Sequence, residues 1–151
     1  MNVDVQLIEH MMNPKNYGTL AGHNTEGIGK NPENGEKVAI YLRVAKDKDG
    51  EYIEDITFQA IGCTTTIVAG SMITEEAREL NFNGVRNLIE ATMKLLERLP
   101  EEDAACSEMV ALALAAAIET YEKRIEFPDY PAITKFVSNS CVPKENVKEE
   151  K

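Results

Sequence analysis

From Lys37 to Val44 the side chains alternate without a break. Val38, Ile40, Leu42 and Val44 fall on one side, and Lys37, Ala39, Tyr41 and Arg43 on the other. A period of two over eight residues fits a strand with one face buried, and little else. Lys46-Asp47-Lys48-Asp49-Gly50 follows as a polar turn. Tyr52–Ile61 then reads as a second strand, with Ile56, Phe58 and Ala60 on one face. The two strands predict an antiparallel hairpin whose apolar face must be covered by something else in the chain.

Helical periodicity supplies the cover. Val3–Met12 reads as a short amphipathic helix, stopped by Asn13-Pro14. After Cys63, residues Ala69, Ile73, Ala77 and Leu80 repeat at helical spacing until Asn81-Phe82-Asn83-Gly84 ends the run. Val85, Leu88, Ile89, Thr92, Leu96 and Leu99 stripe a further helix, stopped by Pro100. Glu101-Glu102-Asp103 reads as an acidic loop. Cys106 then opens a long helix, Ser107 to about Arg124, apolar almost all round at its centre and therefore the expected core helix. Asn16–Gly35 reads as loop, with room for a short edge strand at Thr25–Lys30. The fold class is α+β: a small antiparallel sheet of about three strands with helices packed on one face. Residues 1–126 form the domain, and 127–151 a C-terminal extension containing Cys141.

Charge and cysteine usage narrow the function. A net charge of −10 argues against a nucleic-acid backbone or an anionic membrane as partner. There is no run of 18 apolar residues, so no membrane span is expected. The first ten residues carry Asp4 and Glu9 and lack the basic start of a signal peptide. Three cysteines, an odd number, fit free thiols in a reducing compartment, so the expected location is the cytoplasm.

Two of those thiols stand where strand or loop gives way to helix. Cys63 follows Gly62 and precedes Thr64-Thr65-Thr66; Cys106 precedes Ser107. A helix N-terminus carries unpaired N–H groups and a positive dipole end, which favour a thiolate as nucleophile or metal ligand. The alternative for each is a small buried cysteine that packs like alanine. His10 reads as a helix-surface residue and His23 as solvent-exposed. Neither cysteine has a His or Asp at a spacing that makes a hydrolytic triad, so no enzyme is expected.

Longer stretches carry a resemblance. Leu7-Ile8-Glu9-His10, Asn13-Pro14-Lys15-Asn16-Tyr17-Gly18, Pro32-Glu33-Asn34-Gly35-Glu36, Phe58–Ala69 and Leu99-Pro100 to Cys106-Ser107 together resemble the U-type iron–sulfur cluster assembly scaffolds, IscU and the N-terminal domain of NifU. The resemblance runs from about Leu7 to Lys123 and implies an IscU/SufE-like fold. It implies a scaffold that accepts sulfur and iron, holds a transient Fe–S cluster of [2Fe-2S] type, and passes it on. A cysteine desulfurase and cluster-acceptor proteins are the implied partners.

The family holds its cluster with three cysteines near an aspartate that keeps it labile. Here Cys63 and Cys106 match two of the cysteines, Asn34 replaces the other, and Glu36 stands for the aspartate. Ala105 replaces a histidine. An amide is a poor substitute for a thiolate on iron, and Cys141 is the candidate replacement. The expected ligand set is therefore Cys63, Cys106, Glu36 and Cys141. Where the family binds an Hsp70-type chaperone through Leu-Pro-Pro-Val-Lys, this chain reads Leu99-Pro100-Glu101-Glu102-Asp103, a charge reversal that argues against that contact. Two alternatives stand beside the scaffold. One is a cluster-incompetent relative that binds desulfurase or a cluster-receiving enzyme; the other is a zinc-binding variant drawing on His10 or His23.

Overall fold

The computed structural model describes residues 12–33, 35–62, 64–98 and 101–137. Most of the expected N-terminal helix, together with Asn34, Cys63 and Cys141, lies outside the described residues.

The hairpin forms as the alternation predicts. Strand β2 (Lys37–Asp47) pairs antiparallel with β3 (Gly50–Ile61), with a register shift between Arg43 and Val44. Val38, Ile40, Leu42, Ile53, Ile56 and Phe58 are fully buried on its inner face. The outer edge of β3 is closed by the incoming chain. The Phe58 N–H donates to the Asn16 carbonyl (2.9 Å), and the Gly18 N–H donates to the Phe58 carbonyl (2.8 Å).

Strand β1 (Thr25–Lys30) lies inside the sheet rather than at its edge. On one side it pairs antiparallel with β2; on the other, residues Ile133–Phe136 pair parallel to it as β4. The sheet thus has four strands, in the order β3-β2-β1-β4, where about three were expected. A four-residue strand in a Pro-flanked segment carries too short a pattern to read, and it is its partner β1 that makes it a strand.

Among the described residues, three α-helices cover the inner face. Helix α1 (Thr64–Ala77) follows the β3 exit. Helix α2 (Phe82–Leu95) begins at Asn81, whose side chain accepts from the Gly84 N–H at 2.8 Å. The stretch expected to end one helix therefore caps the start of the next. A 3-10 turn, Leu96–Arg98, closes α2. Helix α3 (Glu101–Glu126) is the core helix, and it starts five residues before Cys106. The acidic triplet expected as loop is its first turn. Pro followed by acids is a helix start, because the N-terminal dipole favours negative charge and proline loses nothing there.

Two glycines set how α3 lies on the sheet. A Cβ on Gly29 would collide with the Met109 backbone, and one on Gly27 with the backbone of Ala113, Ala116 and Ala117. Thr25 Oγ1 donates to the Ala117 carbonyl at 2.7 Å. As β1 runs from Thr25 to Lys30, α3 therefore runs the opposite way, from Ala117 back to Met109. Ala104–Glu126 is long and apolar enough to cross a bilayer by length and composition, but 67% of its apolar window is buried in the fold, as a core helix requires.

Candidate functional site

The antiparallel lie of α3 on β1 decides which residues meet. The end of β1 at Lys30 points toward the start of α3, where Cys106 stands one turn before Met109. Lys30 pairs with Lys37, Lys37 with Ile61, and Lys30 with Phe136. One end of the sheet thus gathers the β1–β2 turn, the β3 exit toward Cys63, the Cys106 end of α3 and the last residue of β4.

The turn is built by Asn31, which is 6% exposed. Its side chain accepts from the Glu33 N–H at 3.0 Å, and its carbonyl accepts from the Gly35 N–H at 2.9 Å. The Asn31 N–H donates to the Glu36 carbonyl at 2.9 Å, fixing Glu36 at the head of β2. Gly35 has φ +79°, the left-handed region a turn of this kind gives to glycine. The half-buried Glu36 side chain leans toward the β3 exit. Its Oε1 lies 3.4 Å from where a Cβ would stand on Gly62, and Thr66 Oγ1 lies 3.0 Å from the same point. Thr66 is fully buried in the first turns of α1. A carboxylate therefore stands beside the residue preceding Cys63.

Cys106 is 8% exposed and outside any disulfide, and Ala105 beside it is 9% exposed. Its place in the second turn of α3 corrects the expectation that it opens the helix. The first-turn N–H groups lie before it, and the dipole argument for its thiol weakens accordingly. Val137, 2% exposed, donates its N–H to the Lys30 carbonyl at 2.9 Å, so the chain leaves β4 at this same end.

Other sequence candidates lie elsewhere. His23 is exposed, with Nδ1 2.9 Å from the Leu20 carbonyl and Nε2 3.0 Å from Glu26. It precedes Thr25, which pairs with Leu42 at the far end of β1. Five strand steps, about 17 Å, separate that end from Lys30, so His23 does not reach this site. Among the described residues no three His, Cys, Asp or Glu side chains gather closely enough to hold a metal ion. The parts that sequence reading missed are Asn31, Thr66 and β4. Asn-Pro-Glu-Asn-Gly is a turn signal that singles out Asn31; the four residues of β4 carry none.

Comparison with known proteins adds to this geometry. Residues 3–127 match the family described as NifU-like N terminal domain. The chain is 32% identical over 120 residues to the iron-sulfur cluster assembly scaffold protein IscU 1 of Archaeoglobus fulgidus, covering 79% of this chain and 76% of that protein. It is 26% identical over 125 residues to the IscU scaffold protein of Escherichia coli, covering 80% and 94% respectively. The crystal structure of a nitrogen-fixing NifU-like protein (N-terminal) from Brucella abortus superposes with a TM-score of 0.65. It covers 79% of this chain and 93% of that one at 18% identity, a likeness of fold.

Proposed function

This chain belongs to the NifU-like N terminal domain family, and on that premise we propose that it is an iron–sulfur cluster assembly scaffold. It takes up sulfur and iron as cargo, holds them as a transient cluster, and hands the cluster to an acceptor. One observation in the fold carries the reading. The Glu36 carboxylate stands beside Gly62 at the end of the sheet where α3 brings its Cys106 end and β4 ends.

The ligand chemistry follows from that gathering. Thiolates are the usual holders of Fe–S clusters, and Cys63 and Cys106 are the proposed pair. Cys63 precedes the N-terminus of α1, whose unpaired N–H groups and dipole favour the thiolate. Glu36 contributes a carboxylate oxygen, a harder and more exchangeable ligand for iron than sulfur. That suits cargo that must leave. The thiolate that Asn34 cannot supply comes from Cys141. It lies four residues beyond Val137, a reach of at most about 14 Å. The domain then functionally includes the 127–151 extension.

A cysteine desulfurase supplies the sulfur and cluster-acceptor proteins take the product, in the cytoplasm, where thiols stay reduced. The cargo is of [2Fe-2S] type, and no substrate is turned over. With Asp103 where the family's Leu-Pro-Pro-Val-Lys motif has its lysine, contact with an Hsp70-type chaperone is disfavoured. A zinc site borrowing His23 is disfavoured by the length of β1.

The test is anaerobic reconstitution with ferrous iron, cysteine, a cysteine desulfurase and an excess of a thiol reductant that converts persulfide sulfur to sulfide, read by visible absorbance and by iron and sulfide content. The unsubstituted chain takes up stoichiometric iron and sulfide, Cys63→Ser abolishes the absorbance, and Cys141→Ser lowers it. A full cluster on Cys141→Ser overturns the relocated ligand alone. No cluster on the unsubstituted chain, with the desulfurase still bound, overturns the scaffold and leaves an interaction protein.

A further inference from the structure

The face of the sheet turned away from the helices carries a pairing that strand physics disfavours. Lys30 and Lys37 are direct cross-strand partners, and the alternation of both strands puts them on this open face. Like charges directly opposite each other destabilise a sheet. Neither lysine makes an ion pair among the described residues, although the chain carries 26 acidic residues against 16 basic ones. Other cations of the sheet do find carboxylates: Arg43 meets Glu54 at 3.0 Å, and Lys135 meets Glu119 at 3.3 Å.

The same row continues to either side. Ile61 pairs with Lys37 and is 63% exposed; Phe136 pairs with Lys30 and is 55% exposed. Next to the row lies a groove of about 370 Å³, lined by Tyr17, Ile28, Lys37, Ala39, Tyr41 and Gln59 among others. Two cations without an ion pair among the described residues, bracketed by exposed apolar side chains, with an aromatic-walled groove behind them, form a small mixed docking surface.

We propose that this row binds an acidic segment of a partner protein, with a carboxylate between Lys30 and Lys37 and apolar side chains against Ile61, Phe136 and the groove. Charge selects the occupant. A facing pair of lysines complements a carboxylate, and two cations are too few to track a phosphate backbone. The apolar flanks fit a peptide better than a bare inorganic anion. Resting on the scaffold reading, the partner is a protein that delivers to or receives from the site, because the row ends beside Glu36 and Gly62. The surface itself needs no cluster.

The experiment uses the full chain without iron or sulfide, so its result is independent of cluster assembly. The probe is a fluorescein-labelled Leu-Glu-Phe-Glu-Leu peptide, with the Leu-Gln-Phe-Gln-Leu peptide, inorganic phosphate and anionic vesicles as the other arms. The Glu peptide binds saturably and weakens with salt. Lys30→Glu with Lys37→Glu weakens it about tenfold or more, and the Gln peptide does not bind. Lys30→Gln with Lys37→Gln also loses the peptide while unfolding at the same temperature or higher, because the like-charge opposition is relieved. That separates loss of docking from loss of fold. Equal binding by the charge-reversed chain, no binding of the Glu peptide at millimolar concentration, or tighter binding of phosphate or vesicles overturns the proposal.

Discussion

The backbone of Met109 occupies the space that a side chain on Gly29 would need. This close approach lays α3 against β1 and points Cys106 toward the end of the sheet where Glu36 stands. Gly29→Ala must push the helix off the strand, because the obstacle is backbone and cannot rotate away. The expected loss is about 1–3 kcal/mol, read from urea unfolding. Gly27→Ala, facing Ala117 in the same way, has a similar effect.

Glu36 touches the β3 exit without belonging to the buried core. Glu36→Ala therefore changes the unfolding free energy, read from urea titration, by no more than about 0.5 kcal/mol. If its carboxylate is the exchangeable ligand, the same change slows transfer of a reconstituted cluster to an acceptor. The measurement is stopped-flow absorbance. A transfer rate equal to that of the unsubstituted chain would remove Glu36 from the site.

Asp55 ties the outer strand to the incoming chain. It pairs with Arg78 and lies 3.4 Å from Arg43, while Arg78 also holds the Asn16 side chain. Burial raises its carboxyl, but the Ile56 N–H and the Arg78 and Arg43 guanidinium groups outweigh that and hold it below the ordinary value. A depressed folded pKa contributes stability that is present above the unfolded value, about 3.9, and lost as pH falls through the folded one. Melting temperatures between about pH 5 and pH 2 should fall more steeply for the unsubstituted chain than for Asp55→Asn, which has no proton to bind.

Glu79 sits just past α1 at φ +72°, its N–H donating to the Ile53 carbonyl at 2.8 Å. A left-handed conformation costs a non-glycine residue about 1–2 kcal/mol, and helix ends commonly give this position to glycine. Glu79→Gly should raise the urea midpoint, with a net gain of up to about 1 kcal/mol after the greater freedom of glycine in the unfolded chain is subtracted.

What could be read in advance was what lies within short stretches. The Lys37–Val44 alternation, the Lys46–Gly50 turn and the helical stripes each carry a period long enough to identify. Thr25–Lys30 was read as a strand with the right bounds, but Gly27 and Gly29 do not tell from sequence that a helix backbone lies against them or that the strand is interior. Ile133–Phe136 was illegible for another reason: its partner lies about a hundred residues upstream. Of the candidate site residues, Cys63 and Cys106 were marked by their place at expected helix starts and Glu36 by motif resemblance. What the motifs could not reveal was that the strand after Pro131 carries the chain to the Lys30 end of the sheet.

That returning strand also fixes an order of events during synthesis. β1 is among the earliest parts of the domain to leave the ribosome, yet one flank stays open until Ile133–Phe136 emerges. Until then the nascent chain displays an unpaired strand edge, the feature that invites wrong partners. Closure joins segments far apart along the chain and comes late, at the entropic cost of a long loop. The end of the sheet that gathers Glu36 and Cys106 is thus completed only once Ile133–Phe136 has emerged and paired, so loading of iron and sulfur there follows that pairing rather than preceding it.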